Sequence, residues 1–193
     1  MLAAALELFN ERGTAAVTTN HVAASAGVSP GNLYYWFGDK AEIVRELYAQ
    51  FVAANEALWD EDGSPEPADL LARLADGAAL SRRYAFLARD LLGLLHADPV
   101  LAAEYRTVRE RRIAVFTALA LRWRAQGVIR PIDDREVADL VQAVWIIAET
   151  WLAFGELDGT YVRADDGARL LRVVLAPYLT SADRLTTVSV VQP

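Results

Sequence analysis

The stretch V-T-T-N-H-V-A-A-S-A-G-V-S-P-G-N-L-Y-Y-W-F-G-D-K-A-E-I-V-R-E-L-Y, Val17 to Tyr48, decides how this chain is read. Thr18 is placed to accept a hydrogen bond from an amide at the start of a helix, and Val22, Ala23 and Ala26 then share one face. Gly27 ends that helix, because a sharp turn between helices calls for the left-handed backbone that glycine adopts freely. Ser29 caps the next helix, and Pro30 takes its first position, where a missing amide does no harm. Gly27-Val28-Ser29 is therefore the expected three-residue link of a helix-turn-helix, the geometry that sets one helix in a DNA major groove.

In the second of these helices Leu33 and Phe37 point to a core. Gly31 and Tyr35, flanked by Asn32 and Tyr34, form a small, polar and aromatic face suited to base edges and phosphates. Asp39 and Glu42 carry the capping pattern of a further helix, whose Val44, Leu47, Tyr48 and Phe51 make an apolar stripe. Lys40, the only lysine among 19 basic residues, falls in its first turn, where an ammonium and free amides can hold one phosphate.

With Leu2 to Gly13 (L-A-A-A-L-E-L-F-N-E-R-G) supplying a first helix, residues 1 to about 50 resemble the DNA-binding domain of the TetR family of bacterial transcriptional regulators. The resemblance implies that Thr18 and Thr19 meet backbone phosphates at the start of the second helix, and that Asn32 and Tyr35 approach bases or the adjacent backbone; Ser29 and Gly31 beside them complete the candidate DNA-binding residues of this helix. It implies phosphate contacts for Tyr34 and Lys40 as well. Trp36 stands where members often carry His; its indole N–H can donate to a phosphate but cannot become charged.

Residues 1–50 hold three basic side chains (Arg12, Lys40, Arg45) against five acidic ones (Glu7, Glu11, Asp39, Glu42, Glu46), a weak balance for a phosphate binder. The basic arm that often precedes the first helix is not in this sequence. Either hydroxyls, amides and a few cations carry the DNA contact, or a natural N-terminal extension belongs before Met1. The formal net charge of −7 makes the rest of the chain acidic too, which disfavours nonspecific nucleic-acid or lipid binding there.

The remainder reads as successive helices, giving an all-α chain: a helix-turn-helix head at 1–48, a larger helical domain for ligand binding and dimerisation at 49–181, and a tail at 182–193. Breaks are expected at Asp62 to Pro67, at Gly127 to Pro131 and from Asp158 to Gly167; a faint strand alternation runs from Thr186 to Val191. The apolar run from Ala143 to Phe154 contains Glu149 and is too short for a membrane span, so no membrane partner is expected. Zero cysteines exclude disulfides and thiol chemistry and fit a cytoplasmic protein.

The helix from Val137 to Phe154 is apolar nearly all round, which calls for burial from two directions, and the next helix adds Leu170, Leu171, Val174, Leu175 and Tyr178. A twofold four-helix interface between two copies is the expected solution, with Val144, Ile147, Trp151, Leu171, Val174 and Tyr178 in it, the alternative being that these helices are simply central in a monomeric core; family resemblance implies the homodimer. Arg112 and Glu149 interrupt apolar stripes. They either face each other or a polar group of a small-molecule effector, or Arg112 snorkels to water and Glu149 lies at a solvent edge. Tyr84, Phe86, Phe116, Trp123 and Trp145 are the candidate aromatic walls of that pocket.

The two histidines, His21 and His96, have no metal-ligand spacing, and no phosphate loop or nucleophile motif is present, so neither an enzyme nor a cofactor is expected. The expected function is a repressor that binds a palindromic operator in double-stranded DNA as a homodimer and is released by a small molecule. The alternative is a dimeric helical ligand-binding protein whose DNA affinity is weak or lost.

Overall fold

The computed structural model describes residues 1–59, 67–157, 163 and 165–180. Within them, the head contains α1 (Leu2–Arg12), α2 (Thr19–Ser25) and α3 (Pro30–Trp36). The helices α4 (Lys40–Ala57), α5 (Pro67–Arg83), α6 (Ala85–Ala97), α7 (Pro99–Ala125), α8 (Asp134–Leu157) and α9 (Asp166–Leu175) follow, with a 3-10 turn at Ala176–Tyr178. The only extended pairing among the described residues is an antiparallel bridge between Ile129 and Leu179, which pins the end of α9 to the link between α7 and α8.

Local chemistry sets the head's boundaries as expected. The Thr18 hydroxyl accepts from the His21 amide, and the His21 ring accepts in turn from the Thr18 amide, closing a capping box. Gly27 has φ +67°, and Ser29 accepts from the Asn32 amide with Pro30 at the first helical position. Asp39 accepts from the Glu42 amide, while the Glu42 carboxylate reaches back to the Gly38 amide.

One apolar cluster joins Phe9, Val17, Val22, Leu33, Ile43 and Leu47 to Tyr84, Phe86, Leu87 and Leu101 of the larger domain. The head therefore shares its core with the body. The boundary expected at residue 48 falls inside α4, which runs through it unbroken. A second cluster packs Trp123, Val128, Ile129, Ile132, Val137 and Val141 between α7 and α8. The expected tail, with its strand alternation, lies outside the described residues.

Two further expectations are corrected. The break read as far as Gly167 ends earlier: Gly167 lies in the first turn of α9, where a Cβ would stand 2.7 Å from the Trp151 ring, so glycine is there for close packing. The greasy run around Glu149 belongs to a 24-residue helix long and apolar enough by composition to cross a bilayer. In the fold that helix packs against α6, α7 and α9.

Candidate nucleic-acid interface and ligand cavity

Leu33 is fully buried and anchors α3 from behind, and the helix turns its other face to solvent. Asn32, Gly31 and Ser29 are exposed there; Tyr35 is 81% exposed and Trp36 64%, their rings in an edge contact 5.4 Å apart. Large aromatic groups left in water beside a helix that a hydrophobic residue holds in place are a prepared contact surface. Tyr34 meets the Thr19 hydroxyl at 2.9 Å, which fixes α3 against the start of α2.

Thr18, Thr19, Tyr34, Gly38 and Lys40 line one shallow depression beside α3. Lys40 is less available than its position in the first turn implies. Its ammonium donates to the carbonyls of Thr14 and Val17 at 2.6 and 2.9 Å, so two of its three protons hold the loop that leads into α2. Arg45 faces away from the α3 surface, paired with Asp98 at 2.6 Å. Burial opposes ionisation of Asp98, but the Leu101 amide, the Arg45 guanidinium and the Val100 amide together hold its carboxyl below the usual range. The exposed α3 face thus offers hydroxyl, amide and aromatic groups more than charge.

The head is bolted to α6. Thr14 donates through its amide and its hydroxyl to Asp90, Asn10 donates to the Arg83 carbonyl and accepts from the Phe86 amide, and Arg89 donates to the Phe9 carbonyl. Phe86 belongs to this joint. It is fully buried with its ring 5.3 Å from Phe9, so its expected place as a wall of the ligand pocket is corrected: α6 turns Phe86 toward the head and Leu87 toward the cavity.

Between α4 and α9 lies an apolar cavity of about 210 Å³. Six of the seven expected lining residues are there: Tyr84, Arg112, Phe116, Trp123, Trp145 and Glu149. Arg112 does not snorkel. It is only 7% exposed because its place on α7 faces inward between Val108 and Phe116. Glu149 accepts a 2.7 Å hydrogen bond from the Tyr105 hydroxyl and also lines the cavity, while its residue as a whole stays partly exposed. Burial raises the Glu149 carboxyl above the ordinary carboxylate range, with the Tyr105 hydroxyl and the charge of Arg109 opposing that shift. Tyr48 and Tyr105 were not singled out for this site from sequence. Tyr105 stands seven residues, two helical turns, before Arg112, a periodicity that puts both on one face.

The interface residues expected on α8 and α9 divide. Val144, Trp151 and Leu171 line the cavity; Trp151 and Leu171 are buried within the chain itself, so these two are corrected from partner contacts to internal ones, while Val144 is half-buried. The cause is that α6, α7 and α9 already cover two sides of α8. Ile147 packs partly against Trp151 and Leu152, and Val174 is half-buried. Tyr178 packs into the second cluster with Arg130 4.8 Å over its ring. The apolar groups left in water are Ile146, Phe154 and Leu157 on α8 with Leu170 and Val173 on α9, Phe154 being 66% exposed and Leu157 77%.

Comparison with known proteins places the whole chain. The profile described as "Bacterial regulatory proteins, tetR family" matches residues 1–47, and that described as "Bacterial transcriptional repressor" matches residues 41–186. The chain is similar to the HTH-type transcriptional regulator YdeS of Bacillus subtilis (strain 168), 29% identical over 84% of this chain and 82% of that protein. It is similar to the HTH-type transcriptional repressor BepR of Brucella suis biovar 1, 26% identical over 93% of this chain and 77% of that one. A solved TetR-family regulator from Marinobacter aquaeolei VT8 superposes with a TM-score of 0.84 at 30% identity, covering 95% and 92% of the two chains. Members of this group are DNA-binding regulators and not enzymes. The chain carrying this exposed α3 face and this helical cavity belongs to the TetR family of bacterial transcriptional regulators.

Proposed function

We propose that this regulator is a repressor that binds an inverted-repeat operator as a homodimer and leaves it when a small molecule fills the cavity. The observation that carries the reading is the α3 face, where Asn32, Tyr34, Tyr35 and Trp36 stand outward while Leu33 is buried. Asn32 and Tyr35 read base edges; Tyr34, Thr18, Thr19 and the remaining proton of Lys40 hold phosphates. Ser29 and Gly31 let the backbone approach closely, and Trp36 donates one N–H.

Two such helices read successive major grooves only if a twofold pairing sets them one helical turn apart, about 34–36 Å. The exposed face of Ile146, Phe154, Leu157, Leu170 and Val173 supports that pairing, with Ile147 and Val174 at its margin.

The switch works through α6. Leu87, Ala88 and Leu91 face the cavity, while Phe86, Arg89 and Asp90 hold the head. A ligand that fits better with α6 displaced favours a head spacing that mismatches DNA, by differential affinity for two conformations. Such a protein works where the genome lies, in the cytoplasm, with no membrane partner.

An unbiased selection of DNA fragments on the purified chain tests this. An inverted repeat is expected, and a failure to retain any duplex at low ionic strength removes the repressor reading. A second reading, a dimeric ligand-binding protein with weak DNA affinity, is favoured by one observation: Arg45, one of three basic residues among the first 50, is spent on Asp98.

A further inference from the structure

The cavity's lining carries one carboxylate, Glu149, and three arginines, Arg73, Arg109 and Arg112. Glu149 and Trp145 are four residues apart and so share one face of α8, and Tyr105 donates its hydroxyl to the Glu149 carboxylate. Trp145 interacts in turn with the Tyr105 hydroxyl, and Tyr48 on α4 lies close enough to feel the charge of Glu149. All four line the cavity, so a carboxylate and three aromatic side chains share its wall. Among the described residues no arginine or lysine forms an ion pair with Glu149; Arg109, one turn further along α7, gives its Nη2 hydrogen to Gln142 at 2.7 Å. Arg112 is farther off, about 10 Å from Tyr105 along the α7 axis at 1.5 Å per residue.

We infer that the effector of this cavity is a lipophilic cation, its positive nitrogen or phosphorus centre seated against Glu149 within the rings of Tyr48, Tyr105 and Trp145. An ionised carboxylate in apolar surroundings is costly without a close counterion, and a ligand cation adds direct contact to the more distant charge of Arg109. Aromatic rings add attraction for a poorly hydrated cation and repel an anion of the same shape. The apolar remainder of the cavity takes the ligand's hydrocarbon. This rests on the reading of the cavity as the effector site and adds to it the class of the effector.

The test uses tetraphenylphosphonium and tetraphenylborate, ions of matching shape and opposite charge, titrated into the full chain without DNA and followed by quenching of the cavity tryptophans. The phosphonium is expected to bind at least about tenfold more tightly than the borate, and Glu149→Gln, which still accepts from Tyr105, is expected to lose about tenfold for the phosphonium alone. No binding of the phosphonium, equal or tighter binding of the borate, or an unchanged affinity in Glu149→Gln overturns the inference. Preference for the borate would hand charge selection to Arg112. If Glu149→Gln does not fold, the comparison of the two ions on the parent chain decides. Release of DNA is measured separately: phosphonium binding that leaves operator affinity unchanged sinks the switch and leaves the cation site standing.

Discussion

Asp90 receives two hydrogen bonds from Thr14 on a single carboxylate oxygen, each 2.8 Å long, and Thr14 is itself buried. The pair spans the seam between head and body. Asp90→Ala leaves the buried Thr14 hydroxyl without its acceptor and removes two charge-assisted bonds, so a loss of about 2–3 kcal/mol is expected in urea unfolding. Operator affinity is expected to fall with it, because the head is less firmly oriented; fluorescence anisotropy on the selected duplex measures that change.

Tyr35 and Lys40 are expected to separate readout from positioning. Tyr35→Ala touches no core contact, so its unfolding midpoint should stay put while the preferred operator sequence changes by about 1–3 kcal/mol at one base pair. Lys40→Ala should weaken binding on all sequences and lower the log–log salt slope by about 1 per contact removed. Because its ammonium also holds the Thr14 and Val17 carbonyls, it should destabilise the head as well. A stability loss with an unaltered slope would leave Lys40 with the structural task alone.

Gly167→Ala is expected to cost about 1–3 kcal/mol, since the new methyl group enters the Trp151 ring. Displacement of that indole toward the cavity should shift tryptophan emission and weaken ligand binding without altering the α3 surface.

The Glu149 carboxyl is held above the ordinary range in the folded chain, chiefly by burial. Between its unfolded and folded titration points the native state binds more protons than the unfolded one, so stability falls as pH rises through that window. Below the unfolded value both states are protonated and the contribution is fully present. Glu149→Gln removes this dependence: the variant should gain on the parent toward neutral pH and lose the gain in acid. Urea midpoints from about pH 4 to 8 report it.

Phe154→Glu places a charge on the exposed α8 face. The fold should survive, because Phe154 is exposed and belongs to no apolar cluster among the described residues, while under the proposed pairing sedimentation should move from two copies to one and operator affinity should collapse. A dimer that persists in Phe154→Glu would move the pairing surface elsewhere.

The head was legible because its instructions are local. Thr18, Gly27, Ser29, Pro30 and Asp39 each act within four residues, through a cap or a turn, and the structure uses each as the sequence implies. The body was legible only as helices. Periodicity marks an apolar face but not the neighbour that covers it, so Trp151 and Leu171 read as partner contacts and line a cavity instead, while Phe86 read as a cavity wall and seats the head. Lys40 shows the same limit from the polar side: its carbonyl partners lie 26 and 23 residues away, beyond the reach of any spacing rule.

Because α4 carries Lys40 at one end and Phe51, Val52 and Asn55 against the cavity at the other, head and pocket share one stiff rod. Its 18 residues measure about 27 Å at 1.5 Å per residue. A sideways push of about 1 Å at the far end, pivoting near the middle, swings the near end by a similar distance and tilts the head by several degrees. In the proposed twofold pairing two such tilts add, so on that reading a guest no larger than a few ring systems would put the reading helices out of step with the pitch of DNA.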